Sequence, residues 1–378
     1  MTKNTKLVVV AVALLFAVII GVRWLRPKPV PGSHKIGAIV FLTGPQASLG
    51  EEVKNALTLG LEEINDKGGI KGGKLDIIFE DSKDSPRDAI LGFNRLETEK
   101  CPVIISTGDV VSLNLGPIVD EKQIPMIATV AAGPDITKRS GWVFRVFIQA
   151  TRQAQVMAEY AGKSLGVKSA AILAINNEFG QTTSATFKNV LESHDARITG
   201  TETFGVADRD VRAQITKLKG GNPAAIYVTG FGDGYGAAIK QVRELKFTGL
   251  LLSDATLSIP FFQQQTTPAS EGAYFSATLF DEDSQAPVAA NFIKGYRQKF
   301  GSPPGFVAAF AYDALKLTAA AIEKGGDAPE GIRNALRSTK NFEGVVGRVS
   351  FTESGDLDFP LVLKRLQNGK PVIVWQGE

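Results

Sequence analysis

The chain has 378 residues, 44% hydrophobic and 21% charged, which suits two or three folded domains and excludes wholesale disorder. Its net charge is only +3, and no stretch after residue 30 concentrates Lys or Arg with aromatics, so nucleic acid is not an expected partner. A single cysteine excludes an intrachain disulfide, and two histidines without ligand spacing around them leave a metal site unsupported. We expect neither metal nor cofactor.

The first predicted element is an apolar run over residues 7–22, with basic residues on both sides. Its length lies between that of a signal-peptide core and that of a full membrane span. We expect an uncleaved signal-anchor helix, followed by a proline-rich spacer up to residue 33. The globular part would then lie outside the cytoplasm. Cleavage of a signal peptide is the alternative.

From residue 35 onward, strand patterns and helix patterns alternate. Four apolar strands are predicted at KIGAIVFL, KLDIIFED, PVIIS and PMIAT. Ser85 and Pro86 are typical of a helix start, with Ser85 as the N-cap and Pro86 at the first helical position. Repeated strand–helix units predict a parallel sheet covered by helices on both faces.

The same rhythm restarts after about residue 150, with strands predicted at SAAILAI, TGTETF, AAIYVTG and GLLLSD. The chain closes with a β-rich segment that contains a Gly-Asp turn and an Asn-Gly hairpin turn. The predicted fold is therefore α/β, with two doubly wound parallel-sheet lobes whose strand ends face a common cleft.

Five motifs, taken in order, carry a family resemblance. They are GPQASLG (44–50), INDKGGIKGGKLDIIFEDSKDSP (64–86), IPMIAT (124–129), EFGQ (178–181) and the closing FTESGDLDF with NGK. Together they resemble the type I periplasmic binding proteins of the leucine/isoleucine/valine-binding class, over about residues 35–375. The resemblance implies a monomeric, non-enzymatic solute-binding protein that closes around one small ligand. It also implies delivery of that ligand to the membrane subunits of an ABC importer, and a location in the periplasm or at the outer face of the cytoplasmic membrane.

The resemblance further implies that the chain crosses between the lobes three times, through a three-strand hinge. The implied bounds are 1–33 for the anchor and spacer, 34–149 and 279–347 for the first lobe, and 150–278 and 348–378 for the second.

Family members that bind amino acids hold the ligand in the loops after PVIIS and PMIAT, and hold its ammonium with an acid of the second lobe. Asp254, at the end of GLLLSD, lies within one position of that acid, and Phe231, Phe179 and Leu49 are candidate walls of the site. The residues that the resemblance implies for the two loops are Ser106, Thr107, Asp109, Val130, Ala131 and Ala132.

Asp109 departs from the family pattern, since a serine that binds the ligand carboxylate is expected there. Val130 to Ala132 likewise replace an expected threonine hydroxyl. Two adjacent carboxylates repel unless one is protonated or a cation intervenes. We therefore hypothesise that the ligand is an amino acid bound in a modified way, or an amine, amide or related nitrogen compound.

Each candidate also has a purely structural interpretation. Asp109 and Asp254 are both suited to capping a helix N-terminus, and Ser106 and Thr107 are common turn formers. A capping role and a ligand contact are compatible for Asp109.

Two other functions are considered. In VTGFGDGYGAA (228–238), Gly232, Gly234 and Ala237 match a dinucleotide-binding pattern, and Asp254 lies about 20 residues beyond Gly234. An NAD-binding oxidoreductase is thus an alternative, although no hydride-transfer residue stands nearby. A ligand-sensing receptor subunit for a signalling partner is the other alternative, because the same fold serves receptors.

Overall fold

The computed structural model describes residues 32–377, except residues 45 and 139. The predicted signal-anchor helix, and the anchoring that depends on it, fall outside these residues. Within the described part of the chain, no helix has both the length and the apolar character that a bilayer span requires.

The first part of the chain forms a five-stranded parallel sheet with the strand order β2-β1-β3-β4-β5. Apolar side chains fill both faces of its central strands, as expected for a parallel sheet that helices cover on both sides. The strands are β1 (His34–Val40), β2 (Leu75–Asp81), β3 (Ile104–Thr107), β4 (Met126–Thr129) and β5 (Val143–Arg145). The helices are α1 (Ala47–Asp66), α2 (Pro86–Thr98) and α3 (Asp109–Lys122).

The second part repeats this build in a seven-stranded sheet with the order β15-β14-β10-β9-β8-β6-β7. Its parallel strands are β6 (Ser169–Ile175), β7 (Arg197–Phe204), β8 (Ala225–Thr229), β9 (Leu250–Ser253) and β10 (Tyr274–Thr278). The helices of this part are α4 (Ala150–Lys163), α5 (Glu178–Glu192), α6 (Arg212–Gly220), α7 (Gly232–Glu244) and α8 (Pro260–Thr266), with a 3-10 turn at Ala255–Ser258.

The chain then returns to the first sheet, where α9 and α10 pack on α1. These helices are α9 (Pro287–Phe300), α10 (Phe306–Gly325) and α11 (Pro329–Arg337). A small sheet follows, made of β11 (Phe342–Gly344), β12 (Gly347–Phe351) and β13 (Leu357–Asp358). It packs beside the first sheet, where the Phe351 ring lies 5.2 Å from that of Phe144.

The last two strands, β14 (Leu361–Gln367) and β15 (Lys370–Gln376), extend the second sheet in antiparallel fashion. The final passage between the sheets therefore comes after β13. The predicted lobe bounds put that passage near residue 347, at the start of β12 and within the small sheet, and the division of the chain into lobes stays a prediction.

The two sheets share one topology. The order β2-β1-β3-β4-β5 in the first matches β7-β6-β8-β9-β10 in the second. In each, the strand order reverses beside the first strand, between β1 and β3 and between β6 and β8. Ligands of open α/β sheets bind outside the carboxyl ends of the strands at such a point. The predicted α/β fold, with a doubly wound parallel sheet in each of two similar parts, is confirmed.

Local sequence signals predict several of these details correctly. Ser85 accepts a hydrogen bond from the Asp88 amide, and Pro86 is the first residue of α2. Asn368 and Gly369 turn β14 into β15 with positive φ angles of 53° and 73°, as an Asn-Gly hairpin turn requires.

Candidate functional site

The carboxyl ends of the two parallel sheets border a cavity of about 600 Å³. This volume suits a small molecule with an apolar body. From the first sheet and its helices, the lining comprises Phe41, Gln46, Leu49, Asp84, Gly108, Asp109, Val110, Leu113, Asn114, Val130 and Ala132. From the rest of the chain it comprises Phe147, Ile148, Gln153, Ile175, Asn176, Asn177, Glu178, Phe179, Val206, Phe231, Ala255, Thr256, Ile259, Phe306 and Val307.

The cavity brings together most of the residues that the sequence singles out as ligand contacts. The predicted residues in the lining are Leu49, Asp109, Val130, Ala132, Phe179 and Phe231. The predicted residues that the structure leaves out of the lining are Ser106, Thr107, Ala131 and Asp254.

Asp109 enters the cavity because of the turn that precedes it. Gly108 has a φ angle of 93°, and a Cβ there would lie 2.9 Å from the Phe41 ring, so a residue with a side chain would not fit. Asp109 is the first residue of α3, and its Oδ1 accepts a 2.8 Å hydrogen bond from the Gly133 amide. Its carboxylate thereby links the turn after β3 to the turn after β4.

Burial raises the pKa of Asp109 to about 6, and the Glu178 carboxylate across the cavity adds to this rise. The Gly133 amide and the Arg145 guanidinium oppose it. Asp109 therefore changes its charge within the physiological pH range, and a cation beside it would favour the ionised form.

A buried ion pair holds the turn at residues 130–133. Arg145, only 2% exposed, donates to the Gly133 carbonyl at 2.5 Å and to Asp356 Oδ1 at 2.8 Å. Asp356 also accepts from the Thr137 hydroxyl. The turn that carries Val130 and Ala132 is thus tied to the segment between β12 and β13, which precedes the last passage between the sheets.

Asp254 has no oxygen atom directed at the cavity. It is fully buried, and its Oδ2 accepts hydrogen bonds from the Thr229 hydroxyl at 2.7 Å and the Gly230 amide at 2.8 Å. Its Oδ1 accepts from the Thr256 amide at 2.9 Å. Burial raises the pKa of this carboxyl to about 6, and the three donors oppose the rise. Asp254 joins the turn after β8 to the 3-10 turn after β9.

Ser106, Thr107 and Ala131 are each fully buried. β3 continues through Thr107, so Ser106 and Thr107 lie within the sheet rather than in the turn. Their hydroxyls face Ser112 and Thr129, at 2.9 Å and 3.5 Å. The turn begins only at Gly108, so neither hydroxyl lies in the loop that is predicted to contact the ligand.

Aromatic rings form the apolar wall on the second lobe's side. Phe179 and Phe231 follow the ends of β6 and β8, and their ring centroids lie 6.1 Å apart. Leu49 lies in the lining on α1, from the first lobe's side. An apolar ligand body therefore has walls on both sides.

Sequence reasoning overlooks most polar residues of the lining, among them the acids Asp84 and Glu178 and the amide Gln153. Asp84 and Glu178 lie inside the quoted family motifs and after strand ends, a signal that could have identified them. Gln153 lies in the first turn of α4 and no local pattern marks it.

The electrostatic character of the cavity is one-sided. Asp84, Asp109 and Glu178 carry carboxylates, and none of the described lining residues is Lys, Arg or His. Three acids in a partly apolar cavity favour a cation and oppose a free anion. In the described part of the chain, no group of three His, Cys, Asp or Glu side chains is arranged to hold a metal.

The glycines of the dinucleotide-like pattern have a packing role here. A Cβ at Gly234 would lie 2.2 Å from the Gly205 carbonyl oxygen, and one at Gly232 would lie 2.5 Å from that of Val206. These glycines let α7 approach the turn after β7. Asp254, the acid at the matching spacing, is bonded within the protein as described above.

Two similar α/β lobes with a cavity between their strand ends define a two-lobed solute-binding protein. A sequence model described as Periplasmic binding protein matches residues 33–370. The chain belongs to this family, as a type I periplasmic binding protein of the leucine/isoleucine/valine-binding class.

Individual relatives agree with this assignment. Leu/Ile/Val-binding protein homolog 3 of Brucella melitensis biotype 1 is 28% identical over 331 residues, which cover 86% of this chain and 89% of the relative. The structure of leucine binding protein LivK from Thermotoga maritima MSB8 has a TM-score of 0.82 at 27% identity, covering 91% of this chain and 98% of that one.

A branched-chain amino acid transporter substrate binding protein, LivJ from Streptococcus pneumoniae, was solved in complex with isoleucine. It has a TM-score of 0.83 at 25% identity, covering 91% of this chain and 100% of that one.

Proposed function

We propose that this protein captures a small ligand with a protonated nitrogen in the cavity between its lobes, and delivers it to the membrane subunits of an ABC importer. The observation that carries the proposal is the lining itself. It combines aromatic and aliphatic walls with the carboxylates of Asp84, Asp109 and Glu178, and its described residues include no basic side chain.

The mechanism we propose is hinge closure. Asp109 belongs to the first lobe and Glu178 to the second, and the two carboxylates repel each other across the cavity. A cation between them would replace repulsion with two attractions, and a ligand that contacts both lobes stabilises the closed form. Phe147 and Ile148, in the first passage between the sheets, line the cavity and belong to the hinge in this scheme.

The ligand class differs from that of a plain aliphatic amino acid. The names and titles of the relatives refer to leucine, isoleucine and valine, which carry a free carboxylate. In this chain Asp109 already accepts a hydrogen bond from the Gly133 amide, and the side chains of Val130 and Ala132 have no hydroxyl. A ligand carboxylate there would meet a protein carboxylate, which supports an amine, an amide or a related nitrogen compound.

The remaining parts of the proposal rest on the family. Delivery to an importer and a position outside the cytoplasmic membrane are what the names of the relatives suggest. We propose both for this chain, together with two lobes divided as predicted near residues 149 and 278, and with the last passage between β13 and β14.

A thermal-shift screen against amino acids, polyamines, alkyl amines, amides and aromatic acids tests the proposal. Stabilisation grows with the ratio of ligand concentration to Kd, so a micromolar ligand raises Tm clearly at millimolar dose. We expect hits among amines and a smaller radius of gyration with the hit in X-ray scattering. A protein that neither shifts nor contracts with any solute would contradict the proposed function.

A further inference from the structure

Gln153 has a buried side chain of which only the amide oxygen forms hydrogen bonds among the described residues. It lies in the first turn of α4, is 3% exposed, and forms part of the cavity lining. Its Oε1 accepts a 3.0 Å hydrogen bond from the Ala255 amide and a 3.3 Å hydrogen bond from the Ser276 hydroxyl. These bonds attach the start of α4 to the turn after β9 and to β10.

The orientation of the amide group follows from these partners. A backbone N–H only donates, so the atom that faces Ala255 has to be the oxygen. The Nε2 of Gln153 is then the other end, and it has no hydrogen-bond partner among the described residues. Because the residue lines the cavity, this N–H₂ group has only the cavity from which to take an acceptor.

Gln241 provides a comparison within the same lobe. It is 5% exposed, its Oε1 accepts from the Val211 amide at 2.8 Å, and its Nε2 donates to the Arg209 carbonyl at 2.9 Å. Both ends of that amide are satisfied inside the protein, as is usual for buried polar groups. Gln153 departs from this rule only at the end that faces the cavity.

We infer that Gln153 is a ligand-binding residue, whose Nε2 donates a hydrogen bond to a neutral oxygen of the ligand while Asp109 holds its protonated nitrogen. This inference rests on the proposed function and deepens it. The oxygen is that of an amide, ketone or alcohol, because three carboxylates in the lining disfavour a carboxylate there. The ligand class is thus an amine with an apolar body and a neutral acceptor.

Three probes that share the isobutyl side chain and the amine of leucine separate these requirements in calorimetric titrations at pH 7.5. L-leucinamide has an amine and a neutral carbonyl, isopentylamine has the amine alone, and L-leucine has an amine and a carboxylate. We expect wild-type protein to bind leucinamide about tenfold more tightly than isopentylamine, and leucine more weakly than leucinamide.

The decisive variant is Gln153→Glu, which keeps an oxygen for Ala255 and Ser276 but replaces the free donor with an acceptor. We expect the preference for leucinamide over isopentylamine to fall about tenfold or more. Gln241→Glu is the matched control, and it should leave this preference unchanged even if it lowers Tm. If Gln153→Glu folds poorly, Gln153→Met is the second variant. It removes both polar atoms of the side chain and should also reduce the preference for leucinamide over isopentylamine.

Three results would overturn the inference: an unchanged preference in folded Gln153 variants, leucine binding more tightly than leucinamide, or no binding of any probe. The proposed function has a separate test in the scattering experiment. Contraction with leucine alone would overturn the role of Gln153 and the proposed ligand class but leave solute capture by hinge closure standing, whereas a lack of contraction with every solute would overturn the proposed function.

Discussion

Asp109 and Asp254 hold the same kind of position in the two lobes, but the fold surrounds them differently. Each acid follows a parallel strand and stands at the start of a helical segment. Asp109 is partly exposed in the cavity and is bonded to the Gly133 amide. Asp254 is fully buried and accepts hydrogen bonds from three neighbouring donors.

The difference shows what makes an acid at a strand end available to a ligand. The last residue of β8 offers Asp254 a hydroxyl, the turn after β8 offers an amide, and the 3-10 turn offers a second amide, so both oxygens of Asp254 accept hydrogen bonds within the protein. The turn after β3 ends in Gly108, whose backbone conformation leaves the next side chain at the mouth of the cavity. Availability depends on the donors that other strands bring close.

The largest expected effect is on stability. Asp254→Ala leaves the Thr229 hydroxyl and the Gly230 and Thr256 amides without their acceptor, and should lower the free energy of unfolding by about 2–4 kcal/mol. Asp109→Ala removes the hydrogen bond to the Gly133 amide at a partly exposed site, and should lower the free energy of unfolding by about 1 kcal/mol. Urea denaturation of both variants measures the free energy of unfolding. A larger loss for Asp109→Ala than for Asp254→Ala would contradict the assigned difference between the two acids.

The next effect is on binding. Asp109→Asn keeps the acceptor for the Gly133 amide but removes the charge, so the affinity for isopentylamine should fall about tenfold or more. Asp88→Asn is the matched control, since Asp88 lies in the first turn of α2 in the same lobe and outside the lining. Calorimetric titration measures both. Equal affinity in wild type and Asp109→Asn would exclude a ligand role for Asp109.

The pH dependence should follow the same residue. With a pKa of about 6, Asp109 is mostly neutral at pH 5 and mostly ionised at pH 7, so the affinity for isopentylamine should rise up to about tenfold between them. Arg145 and Glu178 are the charges that act on it. Calorimetric titrations at several pH values measure this rise in affinity, and Asp109→Asn should abolish it. If the affinity of Asp109→Asn still rises with pH, another group causes the pH dependence.

The stability of the ligand-free protein should change with pH in the opposite direction to the affinity. The folded-state pKa of Asp109 lies above its ordinary value of 3.8. Its contribution to stability is therefore full below pH 3.8 and is lost as the pH rises through about 6. A bound cation offsets that loss, so stabilisation by an amine should grow over the same range.

The smallest expected effect concerns the apolar wall. Phe231→Ala removes one ring of the Phe179–Phe231 pair and should weaken binding of an apolar amine about fivefold, or about 1 kcal/mol. Phe261→Ala serves as the control, because Phe261 is 61% exposed and lies outside the lining. If the two variants bind alike, the pair does not contact the ligand.

Local sequence patterns predict most of the parallel strands, the capped start of α2 and the closing hairpin correctly, because alternation, capping and turn preferences act over a few residues; β5 and β10 are not predicted. The site is predicted less well. Ser106 and Thr107 look like turn residues, yet β3 extends through them, and strand ends are hard to place from short apolar runs. Gln153 has no local signal, since its role depends on Ala255 and Ser276, more than 100 residues away.

By itself, the sequence determined the repeated strand–helix order, the class of fold and the family to which the chain belongs. The strand–helix order and the class of fold follow from hydrophobic periodicity and turn chemistry along the chain, and the family follows from the resemblance of its motifs. Only the tertiary structure decided which polar groups remain free at the cavity. A carboxylate or an amide becomes available to a ligand when packing leaves it without an internal partner, and such partners come from distant segments that only folding brings together.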